Sequence, residues 1–204
     1  MIDTPIRSIA IFCGSASGSK PVYGDAATAL TGVLADRNIS VISGGGKVGL
    51  MGKIADACRH FGVHHTGVMS GNLIENEILS DGLDKTIRVQ TMHDRKRTIS
   101  ELSDGFVALP GGPGTFEEIL EQWTWAQLGL HKKPCGLLNV ESYFDPLIKM
   151  FSQMAEQGFL SKQYLDMFII SDEPAALIEA FQSYNPPPSK WSSSYGDRSS
   201  TPQT

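Results

Sequence analysis

Residues 105–120, GFVALPGGPGTFEEIL, join a short apolar run to a glycine-rich turn and to the start of a helical pattern. The run at 105–110 is typical of a buried strand, because it is short, apolar and followed at once by turn residues. Beyond the turn, the apolar residues of 115–130 recur at helical spacing. One side of this predicted helix carries Phe116, Ile119, Leu120, Trp123 and Leu128. The segment therefore predicts a strand–turn–helix unit.

The same alternation runs through most of the chain. Five more apolar runs predict strands, at 7–13, 39–43, 62–69, 86–90 and 134–139. Four other segments have the spacing or the position of helices, at 22–37, 48–60, 92–103 and 143–157. Helices that alternate with strands in this way place a parallel sheet between two helical layers. The sequence therefore predicts a single α/β, Rossmann-like domain over residues 1–184, with a parallel sheet and helices on both faces.

The composition is typical of a soluble globular protein and narrows the classes of function. A net charge of −5 argues against a general nucleic-acid binder, which would carry a basic face. Membrane insertion is not expected, since no apolar run approaches the roughly 20 residues of a membrane helix. Three separated cysteines without metal spacing, in a chain without signal-peptide features, predict reduced thiols and a cytoplasmic location. Residues 185–204 are rich in Pro, Ser and Thr and predict a disordered tail.

Three glycine-rich turns follow predicted strands, at 13–19, 43–52 and 110–115. Ligands of open parallel sheets bind beyond the carboxyl ends of the strands, where these turns lie. Glycines allow a phosphate to approach the backbone, and the N-terminus of the following helix attracts an anion. The turns therefore predict a crevice for a nucleotide or a sugar phosphate.

One of these turns also fits the G-x-G-x-x-G pattern of dinucleotide-binding proteins, with glycines at 44, 46 and 49. The next strand, however, ends in Gly67-Val68-Met69-Ser70 and offers no acid for a ribose hydroxyl. An NAD-dependent oxidoreductase is therefore a weak alternative. Close helix–strand packing or phosphate approach accounts better for these glycines.

Arg95 and Glu118 begin two successive predicted helices and are the candidates for catalysis. Arg95 shares a helical stripe with apolar residues, where its guanidinium either finds a partner or extends to water. Glu118 stands in T-x-x-E spacing with Thr115, which fits either a capping box or an active-site acid. We expect the helix dipole to keep Glu118 ionised. If both helices start at one edge of the sheet, the pair converges where cleavage at a sugar carbon develops positive charge.

The combination of MHDRK at 92–96 with PGGPGTFEE at 110–118 resembles the Lonely Guy (LOG) family of cytokinin-activating phosphoribohydrolases. The resemblance extends over roughly residues 7–182. It implies hydrolysis of an N6-substituted adenosine 5′-monophosphate to the free base and ribose 5-phosphate. It also implies a homodimer that uses no metal and no redox cofactor.

The resemblance assigns roles by position. Arg95 and Glu118 match the catalytic pair of the family. The residues that match its substrate-binding positions are Glu77, Lys96, Gly111, Gly112, Gly114, Thr115 and Glu117, together with the pocket-lining turns Gly14-Ser15 and Gly44-Gly45-Gly46.

Pro113 departs from the family pattern, which usually has a residue with a backbone N–H at this position. Proline removes one donor from the phosphate site, although it suits the first turn of a helix. A non-catalytic nucleotide or cofactor carrier on the same fold is the main alternative function. A pyridoxal-dependent lysine decarboxylase is disfavoured, because no motif identifies a Schiff-base lysine.

Overall fold

The computed structural model describes residues 5–71, 79–190 and 192. Seven strands in these ranges form one sheet in which every neighbouring pair is parallel. The strands are β1 (Ser8–Phe12), β2 (Ser40–Ser43), β3 (His65–Ser70), β4 (Lys85–Val89), β5 (Gly105–Ala108), β6 (Cys135–Leu138) and β7 (Phe168–Ser171). Their order across the sheet is β4-β3-β2-β1-β5-β6-β7. The predicted fold class is confirmed.

The described ranges contain seven α-helices, and a short 3₁₀ turn lies at Val140–Ser142. The helices are α1 (Val22–Asp36), α2 (Gly49–Phe61), α3 (Met92–Leu102), α4 (Pro113–Leu128), α5 (Asp145–Glu156), α6 (Lys162–Leu165) and α7 (Pro174–Gln182). None of these helices combines the length and the hydropathy that crossing a membrane requires.

The helices cover both faces of the sheet, and alternate strand residues enter two separate cores. On β1, Ile9 and Ile11 point to one core, and Ala10 and Phe12 point to the other. The first core is completed by α1, α2 and α7, and the second by α3 to α6. The central strands β1, β5 and β6 are buried on both faces and therefore appear in the sequence as nearly continuous apolar runs, whereas the edge strand β4 is largely exposed.

The chain reverses its direction of travel across the sheet between β1 and β5. The turns that follow these two strands touch, since Gly14 N donates to the carbonyl oxygen of Pro110 at 3.1 Å. A Cβ on Gly14 would lie 3.2 Å from Cα of Gly111, so the two backbones approach as closely as glycines permit. This reversal of strand order is where open α/β sheets bind ligands.

The C-terminal part adds three elements that the sequence patterns did not predict, α6, β7 and α7. Phe181 of α7 is fully buried in the first core. The first residues of the predicted tail also make contacts: Lys190 N donates to Gln127 O at 2.9 Å, and the carbonyl oxygen of Pro188 accepts from Tyr164. Residues 191 and 193–204 lie outside the described ranges, so the boundary at 185 stays a prediction.

Candidate active site

The glycine-rich turn after β5 leads directly into α4, with Gly112 as the N-cap and Pro113 as the first helical residue. Proline suits this position because its missing N–H would have no partner within the helix. Thr115 is therefore the third helical residue rather than the cap, and Glu118 lies a full turn further along. The capping-box interpretation of Thr115 and Glu118 is wrong. Glu118 is left without the local structural role that its spacing suggested.

Arg95 lies one turn into α3, whose N-cap Thr91 accepts a hydrogen bond from Asp94 N at 3.1 Å. Only 9% of Arg95 is exposed. Its Nε donates to the carbonyl oxygen of Val68, in the C-terminal half of β3, at 2.9 Å. The interpretation in which this side chain merely extends to water is therefore wrong. The fold encloses the guanidinium and aims it at the crevice.

The two predicted catalytic residues meet across one cleft. Nη1 of Arg95 lies 3.8 Å from Oε1 of Glu118. The cleft has a volume of about 440 Å³ and also includes Met51 and Met92, which offer apolar surface. Its other lining residues are Cys13, Ser15, Lys96, Gly112, Pro113, Gly114, Thr115 and Glu117. The cleft thus combines a guanidinium–carboxylate pair, a helix N-terminus and apolar side chains.

The pKa of the Glu118 carboxyl group differs from that of an ordinary glutamate. Burial raises its pKa to about 7, and the opposing attraction of Arg95 is too weak to cancel this effect. The expectation that Glu118 stays fully ionised is wrong near neutral pH, because desolvation outweighs the attraction of Arg95 and Lys96 and raises the pKa. Near neutral pH the group exchanges its proton readily, as a general base or acid must.

Lys96 is held by two carboxylates at the rim of the cleft. Its Nζ forms ion pairs with Glu117 and, at 3.3 Å, with Glu121. Desolvation alone would lower the pKa of Lys96, but the hydrogen bond that Lys96 donates to Glu117 and the charges of both carboxylates outweigh it and raise the pKa. An incoming phosphate would therefore compete with Glu117 and Glu121 for this ammonium group.

The glycines at 44–46 are not among the lining residues of the cleft, and one of them, Gly44, lies against Arg95. A Cβ on Gly44 would overlap Nη2 of Arg95, so any larger residue would displace the guanidinium. Gly45 has a φ of +79°, which favours glycine, and Gly46 pairs with Leu79. Of these predicted pocket glycines, Gly44 acts through the arginine.

A buried pair that the sequence did not reveal supports this turn. Oγ of Ser43 accepts from Gly45 N at 3.1 Å and lies 2.7 Å from Nε2 of His65. Burial lowers the pKa of His65 to about 4, so the imidazole is neutral and acts as a fixed hydrogen-bonding group. In the sequence, both residues appear only as parts of the predicted strands at 39–43 and 62–69.

The remaining predicted binding residues lie in different parts of the structure. Gly14 and Gly111 line a second pocket of about 280 Å³, which shares Ser15 and Gly112 with the cleft. Thr115 is buried, with Oγ1 against Gly111. Glu77, the upstream acid, lies outside the described residues.

Residues 51–181 match the family model described as possible lysine decarboxylase. The chain is 41% identical to a probable cytokinin riboside 5′-monophosphate phosphoribohydrolase from Oryza sativa subsp. japonica, over 91% of this chain and 76% of the relative. It is 42% identical to a cytokinin riboside 5′-monophosphate phosphoribohydrolase from Arabidopsis thaliana, over 88% of this chain and 84% of the relative.

Two solved structures are similar in fold. The molybdenum cofactor binding protein from the phototrophic bacterium Rippkaea orientalis superposes with a TM-score of 0.66 at 21% identity, over 89% of this chain and 98% of that chain. The molybdenum cofactor carrier protein from Chlamydomonas reinhardtii gives a TM-score of 0.65 at 19% identity, over 88% and 98%. Identity at this level establishes a shared fold and nothing about the ligand.

Proposed function

Because this chain belongs to the LOG family of cytokinin riboside 5′-monophosphate phosphoribohydrolases, we propose that its cleft hydrolyses the N-glycosidic bond of N6-substituted adenosine 5′-monophosphates. The products are the free base, an active cytokinin, and ribose 5-phosphate. The single observation that carries the assignment to this cleft is the Arg95–Glu118 pair, 3.8 Å apart beside a glycine-rich helix N-terminus.

The reaction requires a group that stabilises positive charge at C1′ and directs a water molecule to this carbon. As the bond from C1′ to the base breaks, its electron pair leaves with the base and an oxocarbenium-like centre forms on the sugar. The Glu118 carboxylate stabilises that centre and takes a proton from the water that attacks C1′. The departing base gains a proton, so the overall reaction adds one water across the bond. A pKa of about 7 suits this exchange.

Arg95 orients Glu118 and the substrate. Its Nε is committed to Val68 O, so the guanidinium is fixed, and Nη1 faces the carboxylate. A fixed donor costs little reorganisation in the transition state, which is how preorganised polar groups accelerate reactions. The 5′-phosphate is assigned to the backbone N–H groups within 111–115, to which Pro113 contributes none, and to the Thr115 hydroxyl. The apolar surface of Met51 and Met92 suits a base.

Removal of either member of the pair tests the proposal. We expect Glu118→Gln and Arg95→Ala each to lower kcat by about 10²–10³-fold, the usual loss for one well-placed electrostatic group. Release of base from AMP and from N6-isopentenyl-AMP, measured by chromatography, gives the rate. Circular dichroism shows whether each variant stays folded.

Matched controls separate catalysis from general damage. Arg97 lies on the same helix but is two-thirds exposed, and Glu179 is an exposed glutamate of α7. Arg97→Ala and Glu179→Gln should keep the wild-type rate. If Glu118→Gln or Arg95→Ala released base as fast as these controls, the assigned roles would be incorrect.

A further inference from the structure

Tyr143 makes a hydrogen bond to the phosphate turn from outside the catalytic cleft. Its hydroxyl donates to the carbonyl oxygen of Gly111 at 2.6 Å. Tyr143 and Gly111 both line the second pocket, whereas Gly112, the next residue, lines that pocket and the cleft with Arg95. Tyr143 therefore holds the Gly111–Gly112 peptide from the side of the second pocket, opposite the cleft that would bind the substrate.

The geometry of that peptide links the two sides. The peptide from Gly111 to Gly112 is trans and planar, so its C=O and N–H groups point in opposite directions. A carbonyl held towards Tyr143 turns the Gly112 N–H the opposite way, and Gly112 borders the cleft. Gly112 is exposed, and a Cβ placed on it would meet no atom within 4 Å. Packing around Gly112 therefore does little to fix the orientation of the peptide.

The backbone N–H of Gly112 matters more in this turn because Pro113 removes a neighbouring N–H donor. The first N–H groups of a helix have no acceptor within the helix and are the natural anion donors. Pro113 has no N–H, and Thr115 N already donates to Gly112 O at 3.0 Å. The N–H groups of Gly112 and Gly114 are left as the principal donors at this helix start.

The segment that carries Tyr143 is held in an unfavourable backbone conformation. Glu141 and Ser142 have φ values of 53° and 57°, although neither is glycine. Such conformations cost free energy and persist where surrounding contacts impose them. Those contacts include the Lys20–Glu141 ion pair at 2.7 Å and the packing of the Tyr143 ring against Phe144.

We propose that Tyr143 is a positioning residue for the 5′-phosphate, acting through the Gly111–Gly112 peptide. The inference rests on the proposed function for the identity of the anion. It goes beyond that function by assigning phosphate affinity to a side chain outside the glycine motif. Tyr143 fixes the direction of one N–H donor and makes no contact with the reacting atoms.

Binding measurements test this role without requiring turnover. Tyr143→Phe removes only the hydroxyl, and we expect the Kd for AMP and for ribose 5-phosphate to rise about fivefold, the effect of losing one neutral hydrogen bond. The Kd for adenosine, which lacks the phosphate, should be unchanged. In hydrolysis the same variant should raise KM for the monophosphate and leave kcat near the wild-type value.

Tyr164→Phe is the matched control, because Tyr164 also donates its hydroxyl to a backbone carbonyl, that of Pro188, which lines neither pocket. It should bind AMP as the wild type does. The positioning role would be overturned if Tyr143→Phe weakened the binding of AMP and adenosine equally, or weakened the binding of neither. It would also be overturned if the wild type did not bind AMP. A wild type that binds AMP but releases no base would instead overturn the proposed function and leave this inference standing.

Discussion

Glu118 retains its proton to higher pH than an ordinary glutamate because the fold encloses most of its carboxyl group. Its folded-state pKa is about 7, against an ordinary value of 4.5. Between these two values the native state binds more protons than the unfolded state. Stability must therefore fall as the pH rises through this window. The same enclosure that supplies a proton acceptor for catalysis destabilises the native state at neutral pH.

Glu118→Gln should remove this pH dependence. From pH 4.5 to pH 7.5 we expect the free energy of unfolding of the wild type to fall by about 3 kcal/mol relative to the variant, which is what the difference in pKa corresponds to. Urea denaturation of both proteins across this range measures the effect. The exposed Glu179→Gln serves as the control and should follow the wild type. If the wild-type and Glu118→Gln profiles ran parallel, Glu118 would titrate near its ordinary value.

The sequence identified some side chains correctly and others not, for physical reasons. Arg95 was recognisable because a cation among apolar helix positions needs a partner, and the structure provides Val68 O and Glu118. The protonation of Glu118 was not predictable, since local sequence shows the helix dipole but not the burial. The role of Gly44 depends on an arginine 51 positions away, so no local pattern could reveal it.

Helix α4 presents its N-terminus to the cleft with one donor fewer than a helix that begins with another residue. Pro113 occupies the first helical position, and Gly112 and Gly114, which have no side chains, leave the space around it open. Proline stabilises this start by restricting the unfolded chain. It also reduces the number of N–H groups available to a phosphate.

Pro113→Ala should therefore strengthen phosphate binding. A restored N–H that points to an anion forms a charge-assisted hydrogen bond, and we expect the Kd for AMP to fall about tenfold. The free energy of unfolding should drop by at most about 1 kcal/mol. Isothermal titration calorimetry and urea denaturation measure the two effects.

Pro174 provides a matched control, because it also stands at the start of a helix, α7, away from the cleft. Pro174→Ala should reproduce the small loss of stability and leave the affinity for AMP unchanged. An unchanged affinity in Pro113→Ala would mean that the phosphate does not use this position.

Across the whole molecule, the parallel sheet determines where the chemistry-bearing residues meet. The carboxyl ends of β1, β3 and β5 supply the Gly14 turn, the Val68 carbonyl and the glycine-rich turn, so residues far apart in sequence share one edge. Alternation of apolar runs with helical spacing was enough to predict this arrangement. α6, β7 and α7 were not predicted, because they are only four, four and nine residues long and short apolar runs do not distinguish a strand from a helix.

The covering of the sheet was only partly predictable. Trp123 and Trp125 are two positions apart in α4, and at 3.6 residues per turn this spacing directs them to nearly opposite sides of the helix. Trp123 is buried beneath the C-terminal elements, where it contacts Phe151 and Phe168 and donates to Tyr164 O at 3.1 Å. Trp125 is half-buried. The homodimer implied by the family resemblance stays a prediction.

The products formed from a 5′-monophosphate test the account most directly. Purified protein would be incubated with N6-isopentenyl-AMP, AMP and the corresponding ribosides, and the products separated by chromatography. We predict equal amounts of free base and ribose 5-phosphate from the monophosphates, with much slower release from the ribosides. Tight binding of the monophosphates without any release of base would contradict hydrolysis and indicate a carrier.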